Sequence, residues 1–293
     1  MPARFPFTPL LKTETSKSQS DSQPGCQLLV QKPGDRGVWA LGTSYILKHR
    51  PYTPGCEIEI QNADLVRRRL GERQGMPPIP KTELHWRDGD RYFTMESRIK
   101  GESLDNALPS LTQEDLTRIG QQVGQYLLGL KTITLPHTAR LDGRLVNDWR
   151  LFKPLPDSSS GDYLVCTTDS ELASNLALPI AHRLDKPNLD AFMAKMPSGL
   201  PFTFSHSDVH EGNIMINDGN FAGLVDWELA GFYPSWWEYV NSSPLLSEYF
   251  PVQMQNHYAL EWFRVYHSIR DKTKEEGAFR LSEYLAGRAW SGA

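Results

Sequence analysis

Cysteine is scarce in this 293-residue sequence, and what there is lies scattered. Cys26, Cys56 and Cys166 are odd in number and far apart, which excludes both a disulfide framework and a zinc-ligand spacing. Long apolar runs are missing as well. No stretch reaches the ~20 apolar residues of a membrane helix, and the opening MPARFPFTPLLK lacks the apolar core of a signal peptide. We therefore expect reduced thiols, a cytoplasmic location and no membrane contact. Neither sign of charge dominates: 31 Lys and Arg face 35 Asp and Glu, a formal net charge of −4. Without a basic stripe there is no electrostatic footprint for nucleic acid, and none is expected as a partner. No repeat of fixed period is present.

What is there reads as a globular chain long enough for two lobes, with an ordinary 39% hydrophobic content. Residues 1–25 are expected to form a flexible tail, because KTETSKSQSDSQPG (12–25) cannot bury enough surface to fold. From Gly37 to Arg50, two apolar runs flank a Gly42-Thr43-Ser44 turn and predict a hairpin. Ile58, Leu65, Val66 and Leu70 recur at helical spacing within Glu57–Arg73. Thr82–Trp86 and Arg91–Glu96, around Arg87-Asp88-Gly89-Asp90, predict a second hairpin. After Gly101 the pattern turns helical: Thr112 is placed to cap a helix carrying Leu116, Ile119, Val123, Tyr126, Leu127 and Leu130. Residues 154–162 read as loop, and helices are expected again near 170–173, near 189–194 and through 249–290. The fold class is α+β, with a small β-rich N-lobe over 26–98 and a larger α-rich C-lobe over 99–293.

The informative segment is FTFSHSDVHEGNIMINDGNFAGLVDWELAGFYPSWWEYV (202–240). Two apolar strands, Asn213–Ile216 and Phe221–Val225, surround Asp218-Gly219, the strongest short hairpin signal. A two-residue turn sets Asn217 against Asn220 and Asn213 against Leu224, with Asp226 just past the second strand. Asn213 and Asp226 thus meet at the open end of the hairpin, and Asp208 lies in the loop entering that end. Mg²⁺ takes oxygen ligands and commonly uses one or two protein carboxylates besides substrate phosphates. A carboxylate outside the metal shell can orient a hydroxyl or accept its proton. Together these are the working parts of phosphoryl transfer.

His206-x-Asp208-x-x-x-x-Asn213, followed by Asp226-Trp227-Glu228, resembles the catalytic loop and metal-binding segment of the aminoglycoside phosphotransferase/choline kinase-like family. The continuation through Ala230, Gly231, Trp236, Trp237 and Glu238 is similar to its fungal members. The resemblance implies a two-lobed protein-kinase-like fold, ATP and Mg²⁺ as cofactors, Asp208 as catalytic base, and Asn213 and Asp226 as metal ligands. It gives His206 a scaffold role. Ser207 departs from it, standing where the family usually has Gly. Upstream, Tyr45-Ile46-Leu47-Lys48 is similar to the strand whose lysine contacts ATP phosphates. Met95-Glu96-Ser97 before Ile99-x-Gly101 is similar to the linker that binds the adenine edge, so Glu96 and Arg98 are expected to contribute main-chain groups. The acidic partner of that lysine is placed at Asp64, with Glu59 the alternative. No full G-x-G-x-x-G is present, and the DFG and APE signatures of protein kinases are missing.

The expected activity is transfer of the γ-phosphate of ATP to a hydroxyl or amine of a small-molecule partner. Two alternatives stand beside it: a kinase-shaped binding or regulatory protein without transfer, and a biosynthetic enzyme that puts the same cleft to another reaction. Nothing in the sequence fixes the acceptor or an oligomeric state. The alternating His206, Asp208 and His210 fit a zinc site less well, lacking further ligands. Trp236 and Trp237, with Tyr233, Trp262 and Tyr266, read as core. Glu228, Glu238 and Glu248 read as solvated or helix-capping side chains.

Overall fold

The computed structural model describes residues 25–71, 77–144, 146, 148–152 and 165–288. Apart from Gly25, the expected tail lies outside the described residues, as does the loop at 154–162.

Three strands come first: β1 (Cys26–Gln31), β2 (Gly37–Leu41) and β3 (Tyr45–Pro51). Helix α1 (Ile58–Leu70) and strands β4 (Thr82–Asp88) and β5 (Arg91–Ser97) follow. The strands form one antiparallel sheet in the order β1-β2-β3-β5-β4. Both predicted hairpins are present. β1 was not expected: CQLLVQ has no period-two alternation and stays largely exposed, so it owes its conformation to pairing with β2. One sheet face buries Tyr92, Thr94 and Glu96 of β5. The other carries an aromatic ladder, Trp39 on His49, His49 on Phe93 and Phe93 on Trp86, with centroids 5.0, 5.7 and 5.0 Å apart. Such cross-strand pairs stabilise the sheet by a few tenths to ~1 kcal/mol each.

The chain then crosses to a mainly helical region through β6 (Glu102–Ser103), α2 (Leu104–Ala107) and α3 (Gln113–Leu130). Thr112 caps α3 as its sequence predicted, in a reciprocal box with Asp115. The face Ile119, Val123, Tyr126, Leu127 and Leu130 is buried. Next come β7 (Thr134–Leu135), α4 (Asp169–Ala177), α5 (Lys186–Met193), β8 (Phe202–Ser205), β9 (Ile214–Asn217), β10 (Asn220–Leu224) and β11 (Gly231–Tyr233). The chain continues as α6 (Trp237–Asn241), α7 (Pro244–Ser247), α8 (His257–Asp271) and α9 (Lys274–Leu285). Two small sheets, β10-β9-β6 and β11-β8-β7, support the loop between β8 and β9. The aromatics are core: Trp262 stacks on Phe192 and Tyr266, and meets Trp236 edge-on. Among the described residues no helix is long and apolar enough to cross a membrane.

Gly101 makes the crossing possible. Its φ is +106°, and a Cβ there would lie 2.0 Å from the Ile216 carbonyl oxygen on β9. Gly101→Ala is expected to destabilise the protein by about 3 kcal/mol, since both the dihedral and the contact are closed to a side chain. Urea unfolding checks this. A loss under about 0.5 kcal/mol would mean that the crossing can shift.

Candidate active site

Lys48 enters the site from β3, its ammonium 2.6 Å from Glu59 on α1 and 2.9 Å from Glu96 on β5. Burial opposes the charge on Lys48, but the two carboxylates outweigh it and hold the ammonium well above its usual range. Glu59 is correspondingly lowered, its burial outweighed by Lys48 and then Arg50. Burial, with Glu59 close by, keeps Glu96 raised.

Asp64 is therefore not the partner of Lys48. It pairs with Arg67 one turn on, at 2.6 Å, on a more exposed face of α1. The periodicity of α1 carries the signal for the right residue: Glu59, Ala63, Val66 and Leu70 share one helical face, and the last three are buried. Glu96 lies between β3 and β4, opposite Ile46 and Thr82, and its side chain meets Lys48. Arg98 donates its backbone N–H to Ser44 O and its guanidinium to Gly42 O, at 2.8 and 3.1 Å, closing the β2–β3 turn.

In the second region, β9 and β10 join through Asp218 and Gly219, whose φ values of 51° and 71° belong to a type I′ turn. A bulge between Phe221 and Gly223 shifts the pairing by one residue. Asn213 is thus bonded to Val225 rather than set against Leu224, with Val225 N–H donating to Asn213 O at 3.0 Å. Asp226 follows directly, with φ 65°.

Asp208 is held from three directions. Arg150 Nη1 donates to Oδ1 and Asn213 Nδ2 to Oδ2, each at 3.1 Å, and His210 Nε2 lies 3.6 Å from Oδ2. Burial alone would raise its pKa, but nearby His210 and the charge of Arg150 bring it to about 2. Arg150 is itself gripped by buried Asp148, through Nε at 2.8 Å and Nη2 at 2.7 Å. Ser207, at φ 66°, donates Oγ–H to Asp148 at 2.6 Å and accepts from Trp237 Nε1 at 2.8 Å. A left-handed serine costs about 1 kcal/mol, which is why glycine suits this position and why these bonds are needed here.

Glu238 is not solvated. Fully buried, it accepts the backbone N–H groups of His206 and Ser207, and burial pushes its carboxyl up to about 7. Glu228 is half-buried and paired, taking Arg36 at 2.9 Å and Arg50 at 2.5 Å. His206 turns into the core, Nε2 at 3.0 Å from Val225 O and its ring 4.5 Å from that of Trp227. Burial lowers its pKa to about 4. Arg150 and Asp148 escape sequence reading because they stand about 60 residues upstream of the loop, in a stretch without period or motif.

The donor set suits a hard divalent cation. Asn213 spends its amide N–H on Asp208, which leaves its side-chain oxygen as donor. Burial, with Glu59 and Glu228 nearby, pushes Asp226 up to about 7. A cation beside it would relieve that stress.

A model of the phosphotransferase enzyme family matches residues 34–279. No curated protein matches the chain in sequence. Among solved structures it is similar to wild-type aminoglycoside 2'-phosphotransferase-IIIa in complex with GDP, at 13% identity and a TM-score of 0.52 over 89% of this chain and 92% of that one. A GDP and kanamycin complex of APH(2")-IIia gives 14% identity and a TM-score of 0.52, over 90% and 94%. At these identities the likeness is one of fold.

The buried His206 predicts a pH effect. Its folded pKa of about 4 lies below the ordinary 6.5, so the stability that the neutral ring supports is complete above pH 6.5 and is lost as pH falls through 4. Asp226 and Glu238, both raised to about 7, act in the opposite direction. The quantity to measure is therefore the difference between wild type and His206→Gln in urea unfolding. That difference is expected to shrink by about 3 kcal/mol between pH 6.5 and 4. A flat difference would mean that the ring titrates normally.

Proposed function

The chain belongs to the phosphotransferase enzyme family, and from that premise we infer that it is an ATP- and Mg-dependent small-molecule kinase. The observation that carries this reading is the meeting of Asp208 and Asn213 at 3.1 Å, with Asp226 following the residue bonded to Asn213. Residues 26–98 serve as the nucleotide-binding lobe and 99–293 as the catalytic and acceptor-binding lobe. Lys48, fixed between Glu59 and Glu96, holds nucleotide phosphates. Asn213 and Asp226 are the metal ligands. Bound Mg–ATP would supply the γ-phosphoryl group, with the cation neutralising its charge.

Asp208 faces the acceptor. With a pKa of about 2 it is ionised throughout the physiological range and is a weak base. Its main work is to orient the acceptor's hydroxyl or amine and receive its proton late, as the oxygen's or nitrogen's bond to phosphorus forms. Arg150 and Asn213 hold one carboxylate oxygen each, so the group does not rotate away.

Asp208→Asn is expected to lower transfer by about 10³-fold, measured as ADP release with a panel of hydroxylated and aminated metabolites. Calorimetric affinity for Mg–ATP should change by less than about twofold. Asp226→Asn should weaken Mg–ATP binding by at least about tenfold. Near-normal turnover in the Asp208 variant would remove its assigned role, and Mg–ATP binding with no transfer to any acceptor would favour a binding protein.

A further inference from the structure

Glu228 holds two arginines, and they are not equivalent. Arg50, from β3, uses both terminal nitrogens: Nη1 meets Glu228 at 2.5 Å and Nη2 donates to Cys56 O. Arg36, at the end of the β1–β2 turn, touches Glu228 through Nη1 alone, at 2.9 Å. The same nitrogen lies 3.9 Å from Asp226 Oδ2. Its Nε is buried without a hydrogen-bond partner, its nearest carboxylate oxygen being Asp35 Oδ2 at 3.6 Å. A guanidinium carries five N–H donors in a rigid fork, so Arg36 has donors to spare beside the carboxylate assigned to the metal.

The turn that carries it is fixed. Arg36 O accepts from Lys32 N–H at 2.8 Å, closing the turn. Arg91, from β5, donates to the carbonyls of Gly34 and Asp35. The turn, Lys32-Pro33-Gly34-Asp35-Arg36-Gly37, contains no G-x-G-x-x-G string. The charge arrangement also permits exchange. If Arg36 left Glu228, Arg50 would still neutralise that carboxylate, so no buried charge would be stranded.

We propose that Arg36 is a nucleotide-phosphate ligand, parked on Glu228 until Mg–ATP enters and then turned onto the β- and γ-phosphate oxygens. The proposal rests on the kinase reading above and adds to it a second cationic phosphate ligand beside Lys48. A planar fork matches phosphate oxygens in two parallel bonds, whereas Lys48 meets them as a point charge.

Calorimetry with Mg–ATP and with AMP, on wild type, Arg36→Gln and Arg36→Lys, tests this without any acceptor. Arg36→Gln should lose about tenfold or more in Mg–ATP affinity while its AMP affinity changes by less than about twofold, and Arg36→Lys should recover part of the loss. A melting temperature close to wild type shows that the variants fold. Unchanged Mg–ATP affinity in Arg36→Gln, with wild type binding, overturns the Arg36 proposal alone. So does an equal loss for AMP, which would mark a structural role. Failure of the wild type to bind Mg–ATP overturns the kinase reading and this proposal together. Glu228→Gln supplies a second measurement: removing the parking carboxylate should leave Mg–ATP affinity equal or higher, and a loss matching that of Arg36→Gln overturns the exchange.

Discussion

The peptide of Val225 fixes the reference frame for the site. Its N–H donates to Asn213 O, and its carbonyl receives His206 Nε2, each at 3.0 Å. One bond ties it to the strand after the loop, the other to the residue before Ser207 and Asp208. Asp226 comes next in the chain, so its position follows from that peptide and from its own left-handed φ of 65°. The bulge at Phe221/Gly223 is what brings Val225, rather than Leu224, opposite Asn213. Gly223 accommodates it at φ 146°, where a Cβ would lie 2.7 Å from Pro78 O. A straight ladder would place Asp226 one residue out of step, with its side chain on the other face.

Around that frame three clusters of charge are each paired. Lys48 sits between Glu59 and Glu96, Glu228 between Arg36 and Arg50, and Arg150 between Asp148 and Asp208. Partly buried ion pairs of this kind contribute little net stability, because desolvation offsets the attraction. Removing one member is different, since it strands a charge. The network therefore specifies geometry more than it stabilises the fold. Asn62 adds a neutral tie between the two regions, donating from α1 to the carbonyls of Trp227 and Ala230 at 2.9 and 3.0 Å.

Much of this was legible in the sequence, because local signals agreed with the fold. The Asp218-Gly219 turn, the Thr112 cap and the two early hairpins all rest on interactions within a few residues. The spacing from Asp208 to Asn213 survives any small change of register, because both belong to one loop. What failed depended on contacts between distant segments. Choosing Asp64 over Glu59 ignored which face of α1 is apolar. The bulge has no local signature beyond Gly223. Arg150 reaches Asp208 from 58 residues away, and Glu238 meets the loop from an element that reads as an ordinary aromatic helix. Reading Glu238 as solvated or helix-capping followed the habit of carboxylates, which holds only where no partners converge.

Strain gathers where these anchors are densest. Ser207 and Asp226 are both left-handed at φ near 65°, and such residues persist only where their surroundings over-determine them. Ser207 is bound through its hydroxyl to Asp148 and Trp237, through its N–H to Glu238, and through its carbonyl to Arg150 and Asn241. Every polar group of that residue is engaged, so the loop has no low-energy alternative. Asp208, one residue further, inherits the rigidity. In the proposed reaction a carboxylate of such low basicity has little to offer as a proton acceptor early on. Its value is a fixed direction for the acceptor, and a fixed direction is what a strained, fully bonded serine beside it can secure.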